Sequence, residues 1–460
     1  MTTLRPPIQL ALDLHAPDVG EADARTEQEV EVATATDEPE RPVSPDLLME
    51  AICDRENVAA AVQAVMQNKG AAGVDGMTVA QLPRVLAARW PDIEAQLLQG
   101  RYQPQPVRRV RIPKPEGGER LLGIPTVIDR VIQQAVLQQL QPLWDPTFSE
   151  HSYGFRPGRS AHQAVAQAQA HVIDGYQWVV DIDLAKFFDR VNHDRLMAAV
   201  AARVRDRRVR RLIRRYLTAG VLEHGLFEDS REGTPQGGPL SPLLSNLVLD
   251  ELDRELERRG HRFVRYADDC NIYVRSEHAG RRVMSSVTRF IERRLKLQVN
   301  AAKSAVARAW HRSFLGFSLS REHGLRRCIA PKALARFRQR VRLITGRHRS
   351  IRLEEMIGDL SRYLRGWAGY FGFSQLPELK TLDSWIRRRI RCVVWVQWKT
   401  WRRRTTELDR RGVPKAWSRP VASSAKGPWR LSVTRPLTRA FSETRLRHLG
   451  LVFMADLAAT

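Results

Sequence analysis

Two acidic segments in the middle of the chain have residue types suited to binding divalent cations. In the first, Tyr266-Ala267-Asp268-Asp269 lies between two β-prone arms, which predicts a hairpin with adjacent carboxylates at its tip. Like charges repel and a turn offers them little burial, so a bound cation would stabilise the pair. A solvated Asp-Asp turn is the alternative interpretation.

The second acidic segment is residues 178–184. Its alternation predicts a strand on which Asp181 and Asp183 point to one face, followed by a turn and a helix. A strand-end Asp and a hairpin Asp pair form the smallest oxygen-ligand set for two Mg²⁺ ions about 4 Å apart. Such ions activate an attacking 3′-hydroxyl and stabilise departing pyrophosphate. Mg²⁺ suits this set because it prefers carboxylates combined with substrate phosphates.

Apolar periodicity predicts the elements that position these carboxylates. Residues 1–45 are acidic, rich in Pro and Thr, and predicted to be disordered. Short apolar strands then alternate with helices, which indicates an α+β fold with an antiparallel sheet. The predicted helices cover residues 47–70, 79–98, 127–140 and 240–259; the predicted strands cover 178–184, 263–266 and 271–274, with a hairpin at 107–122 that turns at 115–118.

Beyond Pro331 the strand signals fade and helical periodicity takes over. Apolar residues at helical spacing predict one amphipathic helix through residues 334–344, closed by Gly346, and another through 353–371. Seven of the eleven tryptophans lie from Trp367 onwards. The C-terminal part is therefore predicted to be helical and rich in tryptophan.

Charge is distributed unevenly along the chain. The formal net charge is +24, with 75 Lys and Arg against 51 Asp and Glu. Residues 1–50 hold twelve acids and three bases, whereas residues 331–460 hold twenty-nine bases and nine acids. Such a basic region favours a polyanionic partner, with nucleic acid ahead of a membrane surface. A solvated surface in an Arg-biased protein is the alternative.

Composition also excludes several classes of protein. No run of eighteen apolar residues occurs, so no transmembrane helix is expected. The four cysteines form no Cys-x-x-Cys pair, which argues against a disulfide framework and a cysteine-rich zinc module. The N-terminus resembles neither a signal peptide nor a transit peptide. A cytoplasmic bacterial protein, near the nucleoid when bound to DNA, is the expectation.

An Arg-rich segment from Ser384 to Arg404 is the predicted nucleic-acid surface. Trp385, Ile386, Ile390 and Val393 form an apolar stripe at helical spacing, and arginines cover the remaining surface without acidic neighbours in the sequence. Most of the tryptophans there are expected in the core rather than stacked on bases. The arginines that suit contact with RNA or DNA phosphates are Arg387, Arg388, Arg391, Arg402, Arg403 and Arg404.

Several blocks occur in the order of reverse-transcriptase palm motifs. They are Asp183-x-x-x-Phe187-Phe188, Gln236-Gly237-Gly238-Pro239, Tyr266-Ala267-Asp268-Asp269, Lys303 and Phe314-Leu315-Gly316-Phe317. More closely, from about residue 50 to the C-terminus, the chain resembles the group II intron-encoded reverse transcriptase/maturase family. The blocks that carry this closer resemblance are Ile112-Pro113-Lys114-Pro115, Tyr153-Gly154-Phe155-Arg156-Pro157, Gly233-Thr234-Pro235-Gln236-Gly237 and Trp367-Ala368-Gly369-Tyr370-Phe371.

The resemblance implies a set of catalytic carboxylates. Asp183, Asp268 and Asp269 match the family's metal-binding residues, with two Mg²⁺ ions as cofactor and Mn²⁺ as a substitute. Asp183 is preferred over Asp181 because it stands at the family's spacing before the aromatic residue. Asp181 is then an outer acid near the site or a surface acid.

The resemblance also implies nucleotide-binding residues. Lys114 and Arg120 match residues that contact the incoming triphosphate, although a solvated hairpin is the alternative. Gln236 matches the loop that supports the nascent base pair, and its glycines either admit a ligand or only make a turn. Lys303 matches a position near the pyrophosphate, with a structural lysine as the alternative. Phe188 can exclude a ribose 2′-hydroxyl and thus favours dNTPs, unless it packs in the core.

The resemblance implies a right-hand-like polymerase followed by a helical, basic region. We expect a disordered tail (1–45), fingers and palm (46–330), a helical thumb/maturase region (331–375) and a basic maturase/DNA-binding region (376–460). The expected activity is RNA-directed DNA synthesis with a group II intron RNA, its target DNA and dNTPs, together with assistance to splicing. No HNH endonuclease is expected, because cysteine pairs are lacking.

Two other functions remain open from the sequence. One is a domesticated reverse transcriptase in phage defence, repair or CRISPR adaptation. The other is an RNA-binding splicing cofactor without polymerase activity, which the intact Asp183, Asp268 and Asp269 disfavour.

Overall fold

A computed structural model describes residues 47–113, 119–223, 226–228, 233, 237–321, 324–347, 349 and 351–458. For residues 120, 223 and 226–228 it describes the backbone alone. The predicted tail at 1–45 and the predicted turn at 115–118 lie outside the described residues.

Helices and one hairpin make up the N-terminal part, as the periodicity predicts. A correction concerns the first helix, which is two helices because Asp54 interrupts it and caps the second by accepting the backbone N–H groups of Glu56 and Asn57. The elements are α1 Leu48–Cys53, α2 Arg55–Gln67, α3 Leu82–Leu98, β1 Val107–Pro113, β2 Glu119–Ile124, α4 Val127–Trp144 and α5 Ala161–Ile173.

The middle of the chain alternates strands and helices. A π-helical turn at Ile291–Leu295 follows α10. The elements are β3 Trp178–Ile182, α6 Phe187–Arg190, α7 His193–Ala201, α8 Arg207–Thr218, β4 Val221–Glu223, β5 Leu226–Glu228, α9 Ser241–Arg258, β6 Arg262–Tyr266, β7 Asp269–Val274, α10 Glu277–Phe290, β8 Ala305–Arg308, β9 Ser313–Phe314, β10 Phe317–Ser320 and β11 Arg326–Ile329.

After β11 the described chain is helical, which confirms the prediction for the C-terminal part. Both helices predicted there are present, and shorter ones follow them. The elements are α11 Pro331–Ile344, α12 Leu353–Phe371, α13 Leu376–Gln397, α14 Trp401–Arg410, α15 Lys415–Ala422, α16 Pro428–Leu431, α17 Arg435–Ala440, α18 Glu443–His448 and α19 Met454–Leu457.

The chain divides into two compact units, each built from several segments. The first comprises Met1–Ser160, Val180–Ile272 and Arg281–Ala305, and the second comprises Ala161–Val179, Tyr273–Gly280 and Val306–Thr460. The predicted boundaries at 330 and 375 stay predictions.

In the described part of the predicted fingers and palm the strands form three sheets, one of which has the order β11-β10-β9. The other two are larger. In the first, of order β2-β1-β4-β5, β1 and β2 pair antiparallel, with Arg108 opposite Ile124 and Pro113 opposite Glu119, while β4 runs parallel to β1. The second sheet has the order β6-β7-β3-β8. Because β7 neighbours β3 in this sheet, the strand that leads to Asp183 lies beside the strand that begins at Asp269.

A continuous apolar core organises the second unit. It runs from Ile329 to Met454 and takes side chains from α11 through α19, including those on both sides of the predicted boundary at 375. Helix α12 contributes Met356, Ile357, Leu360 and Leu364 from one face. Burial of each such side chain stabilises the fold by roughly 1.5–3 kcal/mol, which explains why this arginine-rich part of the chain still folds.

Within the described residues, no helix has both the length and the apolar character needed to cross a membrane.

Candidate active site

The hairpin predicted around the acidic turn is present and tight. Strand β6 ends at Tyr266 and β7 begins at Asp269, so Ala267 and Asp268 alone form the turn. Ala267 has a φ of 56°, a left-handed conformation that costs a residue with a Cβ about 1–2 kcal/mol. The surrounding structure must therefore hold the turn in this shape.

A buried ion pair holds the turn from below. Arg265 and Asp253 have fully buried side chains, and their guanidinium and carboxylate groups meet at 2.5 and 2.7 Å. The remaining guanidinium N–H groups donate to Asn246 Oδ1 (3.0 Å), Ser152 Oγ (2.8 Å) and the Ala267 carbonyl (2.8 Å). All five N–H donors of Arg265 are thus satisfied, and one of them fixes the carbonyl inside the turn.

The segment before Gly154 packs directly on the hairpin. The Tyr153 N–H donates to the Arg265 carbonyl, and the Arg265 N–H donates to the His151 carbonyl, each at 2.9 Å. A Cβ at Gly154 would lie 2.3 Å from the backbone nitrogen of Ala267, so only glycine fits this close approach.

Backbone contacts fix Asp183 just after β3. Its N–H donates to Ser304 Oγ at 3.0 Å, and its carbonyl accepts the N–H of Asn300 at 2.8 Å. Its half-buried carboxylate lies 3.8 Å from the ammonium of Lys303, the residue predicted near the pyrophosphate. The 300–304 segment therefore positions Asp183 and brings the positively charged ammonium of Lys303 close to it.

The pKa of Asp269 records the crowding of acids at the hairpin tip. Partial desolvation and then the charges of Asp268, Asp181 and Asp183 raise this pKa to about 6, while Lys303 lowers it. Solvent still reaches the Asp269 side chain, so the carboxylates remain open to a cation. The fold thus gathers the three predicted catalytic carboxylates and Asp181, as the β7-β3 pairing implies.

The donor set fits a hard cation such as Mg²⁺. All four acids offer carboxylate oxygens, and their mutual repulsion is the unfavourable term that a cation relieves. Among the described residues, no group of three or more His, Cys, Asp or Glu side chains is arranged so that it could hold a metal ion. Mg²⁺ needs no such group, because it usually binds one or two carboxylates and completes its shell with water and substrate phosphates.

The paired aromatics after Asp183 have different environments. Phe187 is buried, whereas Phe188 is half-buried and touches the Phe187 ring edge-to-face at 5.2 Å between centroids. Of the two rings, Phe187 is therefore the one that packs in the core. Lys186, with a φ of 50°, turns the chain from the Asp183 loop into the short helix that carries both rings.

The remaining predicted nucleotide contacts are described in part. Lys114 and Gln236 lie outside the described residues, and for Arg120 the backbone alone is described, opposite Ile112. The glycines beside Gln236 pack against protein. A Cβ at Gly237, which has a φ of 128°, would lie 2.7 Å from the Gly123 carbonyl. This glycine thus permits a close approach between backbone segments.

The predicted RNA-binding arginines of α13 are largely engaged by the fold. Arg387 pairs with Glu443, so the expectation that these arginines lack acidic partners is wrong for this residue. Arg388 lies over the Trp429 ring at 3.8 Å from its centroid. Arg391 is buried, and burial lowers its pKa to about 10.

The arginines at the start of α14 differ from those of α13. Arg402 and Arg403 are exposed, whereas Arg404 lies over the Trp395 ring at 4.6 Å and donates to the Trp398 carbonyl. Trp395 and Trp398 are buried, as expected for core tryptophans. Arg402 and Arg403 are therefore the two of the six predicted contacts best placed to meet a phosphate backbone.

Sequence reasoning missed the residues that support the turn. Arg265 follows the apolar pair Phe263-Val264 in its strand, which signals a buried partner. No local pattern identifies Asp253, Asn246 or Ser152 as that partner. Ser304 was also missed, because its contact with Asp183 depends on the sheet pairing.

Two family models match the chain. The model for reverse transcriptase (RNA-dependent DNA polymerase) matches residues 112–319, which include every carboxylate of the site. The model for the group II intron maturase-specific domain matches residues 334–412, which run from the first turn of α11 to just beyond α14. The sequence thus carries both domains in the order that its motifs predict.

Relatives with curated descriptions match part of the chain. Protein YkfC of Escherichia coli is 42% identical over 218 residues, covering 46% of this chain and 57% of that protein. The group II intron-encoded protein LtrA of Lactococcus lactis is 37% identical over 202 residues, covering 42% of this chain and 32% of LtrA. The matches therefore span about half and a third of these relatives. Among solved structures, a chain of the Cas6-RT-Cas1–Cas2 complex is 24% identical with a TM-score of 0.36, covering 54% of this chain and 42% of that chain.

Proposed function

We propose that this chain is a reverse transcriptase/maturase of the group II intron type, which synthesises DNA on an RNA template and assists the splicing of a group II intron RNA. The matches of residues 112–319 and 334–412 to the reverse transcriptase and maturase-specific models support this proposal. The observation that supports synthesis most is that Asp183 lies near Asp268 and Asp269 of the β6–β7 hairpin, inside the part of the chain that the polymerase model matches.

In this proposal the three carboxylates hold two Mg²⁺ ions, or Mn²⁺ in their place. The bound ions would supply a lowered pKa for the primer 3′-hydroxyl and neutralise charge on the departing pyrophosphate. The chain's own part is to present the carboxylates. The Asp183 backbone is held by Ser304 and Asn300, and the turn is held by Arg265.

Two further side chains act on the incoming nucleotide. Lys303 is exposed and its ammonium lies 3.8 Å from the Asp183 carboxylate, so it would neutralise or protonate the leaving pyrophosphate. Phe188 keeps a half-exposed ring on the buried Phe187 and would fill the space that a ribose 2′-hydroxyl needs, which favours dNTPs. Lys114, Arg120 and Gln236 remain proposed contacts of the nucleotide and template.

The maturase part of the proposal concerns the second unit. The exposed Arg402 and Arg403 would contact phosphates of the intron RNA, while Arg388 and Arg404 stack on tryptophan rings of the fold. Copying of the intron into a DNA target would then use the same polymerase site.

Primer extension tests the synthetic activity. Asp268→Ala should abolish extension of a DNA primer on an RNA template with dNTPs and Mg²⁺, because it removes a proposed metal ligand. Asp194→Ala, which removes an exposed aspartate paired with Arg214, is the matched control and should extend normally. Equal extension by both variants would refute the assignment.

Splicing tests the maturase activity separately. Asp268→Ala should still accelerate self-splicing of the cognate intron RNA at low Mg²⁺, whereas Arg402→Gln/Arg403→Gln should weaken that effect and spare primer extension on a short template. If neither the wild-type chain nor Asp268→Ala accelerated self-splicing, the splicing role would be ruled out. The polymerase proposal would still stand.

A further inference from the structure

Phe155 combines two unfavourable features beside the catalytic hairpin. Its side chain is 50% exposed, although it is a large apolar ring. Its φ of 59° is a left-handed conformation that residues with a Cβ rarely adopt. Strain of this kind concentrates at functional sites, where surrounding structure keeps it in place.

The residue that follows Phe155 is anchored firmly. The Arg156 guanidinium is buried and pairs with the Asp145 carboxylate at 2.8 Å. It also donates to the backbone carbonyls of Ser149, Ser152 and Asp145. These contacts fix the chain on the C-terminal side of the ring.

The residue that precedes Phe155 is anchored to the catalytic hairpin. Gly154 packs so closely on Ala267 that a Cβ would clash with its backbone nitrogen, and its carbonyl accepts the Asn246 side-chain amide at 2.9 Å. Asn246 also accepts from Arg265, so one network fixes both the Phe155 loop and the acidic turn. Phe155 consequently cannot relax its backbone without loosening that turn.

The exposed ring lies next to the residue that leads into the turn. The centroids of the Phe155 and Tyr266 rings are 6.3 Å apart, with their planes tilted by 44°. Tyr266 is half-buried and immediately precedes Ala267 and Asp268. The two rings therefore form an aromatic surface beside the carboxylates.

We propose that Phe155, with Tyr266, forms a binding surface for the primer–template duplex near the primer 3′ end, where the ring packs against a sugar or base. This inference rests on the proposed polymerase function. At the end of a duplex, the sugars and the terminal base pair are the apolar surfaces left open, and aromatic contact with them is tolerant of sequence. A chain end held there is brought next to the carboxylates that must act on its 3′-hydroxyl.

A substitution that separates strain from binding tests the proposal. Phe155→Asn removes the ring and places at φ 59° a residue that tolerates this conformation. We expect a higher Tm, together with roughly tenfold weaker binding of the primer–template duplex, the loss typical of one aromatic contact. The KM for dNTP should stay the same, and Phe155→Tyr should bind like the wild type.

Lys296 is the matched control because it is exposed and has the same φ of 59°. Lys296→Asn should raise the Tm similarly without changing duplex binding. Binding is measured by fluorescence anisotropy and KM by primer extension. The inference would be overturned if Phe155→Asn bound the duplex with unchanged affinity. It would also be overturned if this variant had a lower Tm and its folded molecules bound with normal affinity. Absence of extension by the wild-type chain would instead refute the proposed function.

Discussion

The base and the tip of the β6–β7 hairpin differ in how charge is balanced. At the base, Arg265 and Asp253 are both fully buried, and every guanidinium donor has an acceptor. At the tip, Asp268 and Asp269 stand near Asp183, and the ammonium of Lys303 lies 3.8 Å from Asp183. Positive and negative charges are therefore balanced at the buried base of the hairpin. At the solvent-exposed tip, negative charges are in excess.

This difference explains how a strained, negatively charged turn persists. The left-handed Ala267 and the raised pKa of Asp269 are both unfavourable in the metal-free chain. The satisfied network beneath them supplies the rigidity that keeps the carboxylates together. At the base, the charges of Arg265 and Asp253 neutralise each other. A cation bound at the tip would neutralise the carboxylates there in the same way.

The largest expected effect follows from removing acidic excess at the tip. Asp269→Asn should lower the rate of primer extension by about a thousand-fold, since loss of metal binding removes several kcal/mol of transition-state stabilisation. In the absence of metal the same variant should have an equal or higher Tm, because it relieves repulsion. A marked loss of Tm would mean that Asp269 is structural.

Breaking the charge balance at the base should instead destabilise the fold. Asp253→Asn leaves the buried Arg265 without its counter-ion and should lower the free energy of unfolding by about 3–5 kcal/mol in urea titrations. The double variant Arg265→Met/Asp253→Leu should recover most of that loss. It should still extend primers poorly, because the Ala267 carbonyl has lost its donor; full activity in it would contradict the positioning role.

The pH dependence sharpens the comparison. The pKa of Asp269 is raised from 3.8 to about 6 in the folded chain, so the metal-free protein should lose stability as pH rises from 4 through 6. Because Asp269 is exposed, solvent screens this effect and keeps it small. Below pH 6, the Mg²⁺ concentration for half-maximal extension should rise about tenfold per pH unit, since a proton competes with the metal. A flat Mg²⁺ requirement between pH 5 and 7 would contradict this.

The smallest effect is expected at the exposed arginines of α14. Arg402→Gln/Arg403→Gln should reduce the slope of log affinity against log salt for RNA by about 0.7 per lost phosphate contact. Arg388→Gln should leave that slope unchanged and lower the Tm, because Arg388 stacks on Trp429. Equal slopes in all three proteins would remove Arg402 and Arg403 from the RNA surface.

Residue spacing predicted that the carboxylates lie together, but it did not predict the residues that support them. Strand alternation and a two-residue turn led to Asp181, Asp183, Asp268 and Asp269. The choice of Asp183 over Asp181 came from the family resemblance, and the catalytic roles stay predictions. The partners of Arg265 were not predictable, since they lie 12 to 113 residues away and are selected by packing. For the same reason, Arg391 and Arg402 look alike in sequence although one is buried and the other exposed.

Mn²⁺ binding followed by electron paramagnetic resonance tests the central claim most directly. The wild-type chain and Asp269→Asn are titrated at pH 7.5 in the presence of a primer–template duplex, with Asp194→Asn as the control for a lost surface charge. The acidic excess at the tip predicts that Asp269→Asn loses at least about tenfold in Mn²⁺ affinity while the control matches the wild type. Equal Mn²⁺ affinity in all three proteins would show that the hairpin tip does not hold the cation.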